Sequence, residues 1–281
     1  MYPAGISGLI ARQVSIGGGN SLRAIESGPP GGPAVVLVHG WGASVYSFAE
    51  MLPALASAGY RAVAIDLPGH GLSDKPADES AYTTRSLGDA VLSAVAALGI
   101  ARFRAIGHSM GGGILLDLAL REPRAIEALV LINAVGLGTP RAMSLVQLLS
   151  PRLVNHVVPA MLTRPAVEGI LRVAFATRER PNARDVDEYW APTQFREFAR
   201  ACRACVHAFS WRPVPEESLR ALRLRVLAIV GDRDRVVRSD TSRALHIPDA
   251  RIVTIAGAGH LVQQECAERT NREVVGFLRG G

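Results

Sequence analysis

Gly107-His108-Ser109-Met110-Gly111 sets one hydroxyl between two glycines, each two residues away. Serine becomes a useful nucleophile when a neighbouring base takes its proton. G-x-S-x-G spacing suits that task where a strained turn joins a strand to a helix. The residues two before and two after the serine must then be small, so that strand and helix can approach. Ser109 is the candidate nucleophile, and Gly107 and Gly111 are the small residues of its turn. Gly112 and Gly113 follow directly. Glycine inside a helix costs about 1 kcal/mol against alanine, so close helix packing is the expected reason for them.

The chain has seven histidines that could supply the base. His39 lies in VLVHGWG and His70 in DLPGHG. His108 adjoins Ser109, with its ring expected to be directed elsewhere by the turn. His156 and His207 fall in a helical stretch, and His246 in a short helix-like segment. His260, in GAGHL, follows the last apolar run through a flexible glycine approach. It also completes the chain order Ser, acid, His, and is the expected base.

That base needs a carboxylate to fix its tautomer and stabilise the imidazolium. GDRDRVV offers Asp232 and Asp234. Gly231 makes the turn, and Asp234 lies far enough out to reach the next loop, so Asp234 is preferred. Asp232 is the alternative, or else a brace for its own loop through backbone hydrogen bonds. Asn133, after an earlier apolar run, is not an acid. Acyl transfer also needs two donors for the oxyanion. The backbone N–H groups of Met110 and Trp41 are expected in that role. The Trp41 indole is expected only to pack, and the His39 ring to brace its loop by a hydrogen bond.

These residues stand at the ends of short apolar runs: AVVLVHG, YRAVAID, FRAIGHS, IEALVLINA, LRVLAIVGD and RIVTIAG. Such runs, rich in Val, Ile and Leu, fit strands buried on both faces of a parallel sheet. Between the early ones lie SVYSFAEMLPALASAG, TTRSLGDAVLSAVAALG and GGGILLDLALREP, with apolar residues at helical spacing. IARQVSI and SLRAIES, separated by GGGN, predict an N-terminal hairpin. The pattern predicts an α/β fold, a mostly parallel sheet flanked by helices. Ligands of such sheets bind beyond the carboxyl ends of the strands. From Leu137 to Leu222 the alternation stops; proline-punctuated helical patches take over, with no strand run. This predicts core segments at 1–136 and 223–281 and a helical cap at 137–222.

Composition narrows the alternatives. Formal net charge is +6, but the basic residues are scattered and all arginine except Lys75. A nucleic-acid partner would call for a basic patch, so none is expected. No apolar run approaches the roughly 20 residues of a bilayer span. MYPAGISGLIARQV lacks a basic region followed by a long apolar one. A cytoplasmic location is expected. Cys202, Cys205 and Cys266 are too few, and odd in number, for a disulfide framework. The CRAC pair lacks two more ligands at zinc spacing and is expected on a buried helix face; no metal site is expected.

With these pieces in order, the chain resembles the α/β-hydrolase superfamily through LVHGWGAS, DLPGHGLSDKP, GHSMGG, GDRDRVV and GAGH. The resemblance implies an α/β-hydrolase fold of about eight strands with a helical cap inserted late in the sheet. It implies a Ser109–Asp234–His260 triad working without a cofactor. A small-molecule ester-like substrate is expected, and a monomer or homodimer. Epoxide hydrolases and haloalkane dehalogenases of this superfamily have aspartate where this chain has Ser109, which argues against both. GHSMGG and GDRDRVV also look similar to motifs of the meta-cleavage-product C–C hydrolases. Those typically carry Asn before the serine and Trp after the histidine, where this chain has His108 and Leu261. Carboxylic-ester hydrolysis is the expected reaction, and C–C hydrolysis is the alternative. A lid arginine, among Arg164, Arg172, Arg196 and Arg200, would then hold the substrate carboxylate. Lactonase and thioesterase activities share the same triad, and a non-catalytic receptor shares the fold.

Overall fold

The computed structural model describes residues 1–152, 161–177, 179–239 and 241–280. Its strands in chain order are β1 (Leu9–Gly17), β2 (Asn20–Ser27), β3 (Ala34–Val38), β4 (Arg61–Ile65), β5 (Phe103–His108), β6 (Ile126–Ile132), β7 (Gly138–Pro140), β8 (Arg225–Gly231), β9 (Val237–Ser239) and β10 (Ala250–Ile255). Eight of these form one sheet in the order β1-β2-β4-β3-β5-β6-β8-β10. The β1–β2 hairpin is antiparallel and joins β4 antiparallel. All remaining pairs of that sheet are parallel.

Successive residues of the central strands enter opposite cores, which explains their unbroken apolar character. Val36, Val38, Val63, Ile65, Ala105, Leu129 and Leu131 face one cluster. Val35, Leu37, Ala62, Ala64, Ile106, Ala128 and Val130 face the other. Helices cover both: α1 (Met51–Ser57), α2 (Thr84–Ala97) and α3 (Met110–Arg121) follow the early strands. The single helix expected over 44–59 is divided. A 3-10 turn, Val45–Phe48, precedes α1.

Next come α4 (Met143–Leu148), α5 (Arg164–Ala174), α6 (Ala183–Trp190), α7 (Phe198–Ala208) and α8 (Glu216–Ala221), then α9 (Thr241–Ala244), α10 (Val262–Glu265) and α11 (Ala267–Leu278). Among the described residues one strand interrupts the stretch read as strandless: β7, paired antiparallel with β9. Three residues are too short for an apolar pattern to announce, and β7 exists because β9 lies beside it. As the sequence suggests, α7 buries Cys202 and Cys205. Among the described residues no helix is long and apolar enough to cross a membrane.

The strand order places the site. From β3 the chain moves to β4 on one side, then returns to β5 on the other. The loops leaving β3 and β5 therefore diverge and open a crevice, the usual position for a ligand in such sheets. Gly40-Trp41 lies on one loop and Ser109 on the other.

Candidate active site

Ser109 joins β5 to α3 with φ 53° and ψ −118°. This positive φ is rare outside glycine and marks strain held by the surroundings. Those surroundings admit no side chain at either flanking glycine. A Cβ on Gly107 would lie 2.6 Å from Gly112 Cα, and one on Gly111 would lie 2.1 Å from the Val38 carbonyl oxygen. Gly40 is similarly constrained, since a Cβ there would lie 3.0 Å from Ser109 Cβ. The loop after β3 thus passes directly against the serine.

His260 and Asp234 meet from separate loops. His260 Nδ1 donates to Asp234 Oδ2 at 2.8 Å, and both residues are buried. The other carboxylate oxygen, Oδ1, accepts the N–H groups of Val236 and Val237 at 2.7 and 2.9 Å. Asp234 is thereby fixed, and His260 is held in the tautomer that leaves the Nε2 lone pair available. Asp232 is occupied differently: it accepts the Gly257 N–H at 2.7 Å. Among the described residues no hydrogen bond engages Ser109 Oγ or His260 Nε2.

Four other histidines have different partners. The His39 ring accepts the Leu67 N–H on Nε2 at 3.0 Å, leaving Nδ1–H to donate to the Gly40 carbonyl at 2.7 Å. Burial pushes its pKa down to about 4. Burial, with His39 nearby, pushes His70 down to about 3. His207 meets the Ser150 carbonyl, and His246 lies beside Arg220 and Glu216. His156 falls outside the described residues.

His108 Nε2 donates to the His260 carbonyl at 2.9 Å, and the two ring centroids are 4.7 Å apart. Burial, then the neighbouring His260, pushes the His108 pKa well down. Asn133, which the sequence excludes only as not being an acid, reaches the same carbonyl. Its signal is present in the sequence: one amide directly follows the apolar run ALVLI. The Trp41 indole also does more than pack. It donates to the Cys202 carbonyl on α7 at 3.0 Å and meets Trp211 edge-on. That bond needed α7 to lie over the β3 loop, which spacing alone did not reveal.

The backbone N–H groups of Trp41 and Met110 have no acceptor among the described residues. Unpaired N–H groups beside a serine are suited to receiving a developing negative charge. Among the described residues no group of three or more His, Cys, Asp and Glu side chains is arranged to hold a metal ion.

Comparison with known proteins agrees with this architecture. The sequence model of the alpha/beta hydrolase fold family matches residues 33–163. The chain is 32% identical over 274 residues to the dihydrolipoyllysine-residue acetyltransferase component of the acetoin cleaving system of Pseudomonas putida, spanning 93% of this chain and 68% of that protein. It is 30% identical over 266 residues to the 2-hydroxy-6-oxononadienedioate/2-hydroxy-6-oxononatrienedioate hydrolase of Burkholderia vietnamiensis, spanning 89% and 88%. The crystal structure of carboxylesterase CesB from Bacillus subtilis superposes with a TM-score of 0.83 at 20% identity, covering 97% of this chain and 92% of that one; this likeness concerns the fold. The family match runs through the Ser109 turn, and relatives at 30% identity or more are covered over two thirds or more of their length: the chain belongs to the α/β-hydrolase family.

Proposed function

We propose that the chain is a serine hydrolase that cleaves carboxylic esters of small to medium acyl or aromatic substrates through an acyl-enzyme intermediate. The observation that carries this reading is the buried His260–Asp234 pair at 2.8 Å, which commits Nδ1 and leaves Nε2 able to take a proton.

Ser109 Oγ attacks the ester carbonyl as His260 Nε2 accepts its proton, and Asp234 stabilises the imidazolium. The carbonyl oxygen, now negative, is received by the N–H groups of Trp41 and Met110. Collapse of the intermediate expels the alcohol, which His260 protonates. A water activated by His260 then releases the acid. Residues 137–222 act as a helical cap between core segments 1–136 and 223–281. The Trp41–Cys202 bond supports that role, as does the Phe198 ring standing edge-on to His70.

A second reading, C–C hydrolysis of a dienoic acid, is favoured by the similarity to the Burkholderia hydrolase. It calls for a free cap arginine. Arg164 instead bonds Asp187, Arg172 bonds Glu168, and Arg200 bonds the carbonyls of Lys75 and Pro76. Arg196, the fourth candidate, is exposed and has no hydrogen-bond or ion-pair partner among the described residues, so it stays available to the second reading and the arginines do not separate the two.

The test is initial rates on p-nitrophenyl esters from acetate to decanoate. Turnover peaking at one chain length and lost in Ser109→Ala supports the esterase and sizes its pocket. Folded protein inactive on every ester, but active on a dienoate, supports the second reading.

A further inference from the structure

Glu265 ends α10, five residues beyond His260, and has no part in the reaction proposed above. Its carboxylate accepts three backbone N–H groups from two directions. Oε2 takes the N–H of Gly259, the residue directly before His260. Oε1 takes the N–H groups of Ala176 and Thr177, the latter at 2.8 Å. Those two residues lead away from α5, and the end of α5 supplies the Ala174 carbonyl that accepts the His260 N–H at 2.7 Å. Contact here is backbone to backbone: a Cβ on Gly259 would lie 2.6 Å from the Ala174 oxygen and 2.8 Å from the Ala176 nitrogen. The Asp234 loop is attached to the start of the same inserted segment. There β9 pairs with β7, and the Arg141 N–H donates to the Val236 carbonyl at 2.9 Å.

We propose that Glu265 is a positioning residue that couples the inserted helical segment to the His260 loop, so that the seating of the segment sets where the imidazole stands relative to Ser109. The proposal rests on the serine-hydrolase reading. Its chemistry explains the residue type. All three partners donate, so both side-chain oxygens must accept, and only a carboxylate offers two acceptors without a donor. Glu265→Gln keeps the size and one acceptor. Its NH2 group then faces either Gly259 or the Ala176–Thr177 pair, donor against donor, and one arm of the coupling opens.

The experiment compares wild type with Glu265→Gln on p-nitrophenyl esters and in labelling of Ser109 by a fluorophosphonate, with rates normalised to folded protein. Displacing a general base by a fraction of an ångström is costly, so kcat is expected to fall between about tenfold and about a hundredfold. KM should stay within about twofold, and labelling should slow in parallel with kcat. Glu265→Asp retains both acceptors on a shorter arm. It is expected to be intermediate, and it serves as the test if the amide variant does not fold. A merely structural brace changes the folded fraction, not the rate per folded molecule. A variant that melts earlier but keeps wild-type kcat and labelling rate therefore overturns the proposal while leaving the hydrolase reading intact. Wild type that neither turns over esters nor reacts with the fluorophosphonate overturns both.

Discussion

The Asn133 amide fastens the His260 loop to the end of β8. Its Nδ2 donates to the carbonyls of Gly259 and His260, both at 3.0 Å, and its Oδ1 accepts the Gly231 N–H at 3.1 Å. Asn133 is fully buried and sits at φ 42°, a region asparagine enters more readily than most residues. One side chain thus holds the approaches to both Asp234 and His260. Asn133→Ala leaves buried backbone groups unpaired and is expected to cost about 1–3 kcal/mol or more. Urea denaturation measures this. A change below about 0.5 kcal/mol would mean the loops hold themselves.

Ser109→Ala is expected to keep the fold and lose nearly all ester turnover, because no other hydroxyl shares the strained turn between β5 and α3. A melting curve beside the rate assay separates the two effects. A verified mutant retaining more than about a few per cent of activity would remove Ser109 from the mechanism.

The two aspartates of GDRDRVV should behave differently. Asp234→Asn replaces the carboxylate that holds His260 Nδ1 and is expected to lower kcat on the order of 10³-fold or more. Asp232→Asn touches, among the described residues, the Gly257 N–H, and its effect should stay below about tenfold. The reverse ranking in side-by-side kinetics would transfer the acid role to Asp232.

Glycines of the serine turn should differ in tolerance. A Cβ on Gly111 would press on the Val38 backbone at 2.1 Å, which cannot yield without moving β3. A Cβ on Gly113 would meet the end of the Phe209 ring and the Val135 carbonyl oxygen, both at 3.2 Å, contacts that a shift of a few tenths of an ångström relieves. Gly111→Ala is expected to abolish or severely weaken folding, and Gly113→Ala to change stability by about 1 kcal/mol or less. Expression yield and melting temperature of the pair decide it.

Stability should fall with mild acid. His39 and His70 are buried neutral, with pKa values pushed down from 6.5 to about 4 and about 3. Between 6.5 and those values the unfolded chain binds more protons than the folded one. Their contribution is therefore complete above pH 6.5 and declines as pH drops toward 4. Melting temperature across that range measures it. His39→Gln, whose amide can still accept from Leu67, should flatten the decline; an unchanged slope would assign it elsewhere.

Much of this protein is legible in the linear chain. Apolar runs that fill both faces of a parallel sheet read as such, because each residue must face one core or the other. G-x-S-x-G is legible in part because steric exclusion acts between near neighbours, as where Gly107 clears Gly112, although the Val38 backbone that excludes a side chain at Gly111 comes from β3. The histidine at the end of the last strand follows from chain order. Tertiary structure alone decided the bonds that hold these parts in register: Trp41 to Cys202, Asn133 to Gly231 and His260, Glu265 to Gly259 and Ala176, and the β7–β9 pairing. Their partners, apart from Gly259, lie from 89 to 161 residues away, with β7 at the start of the inserted segment and β9 beyond its end. A side chain that donates or accepts carries no mark of its distant partner in its own sequence neighbourhood. Only the sheet order, by bringing the loops of β3, β5, β6, β8 and β10 to one edge, makes those partners neighbours.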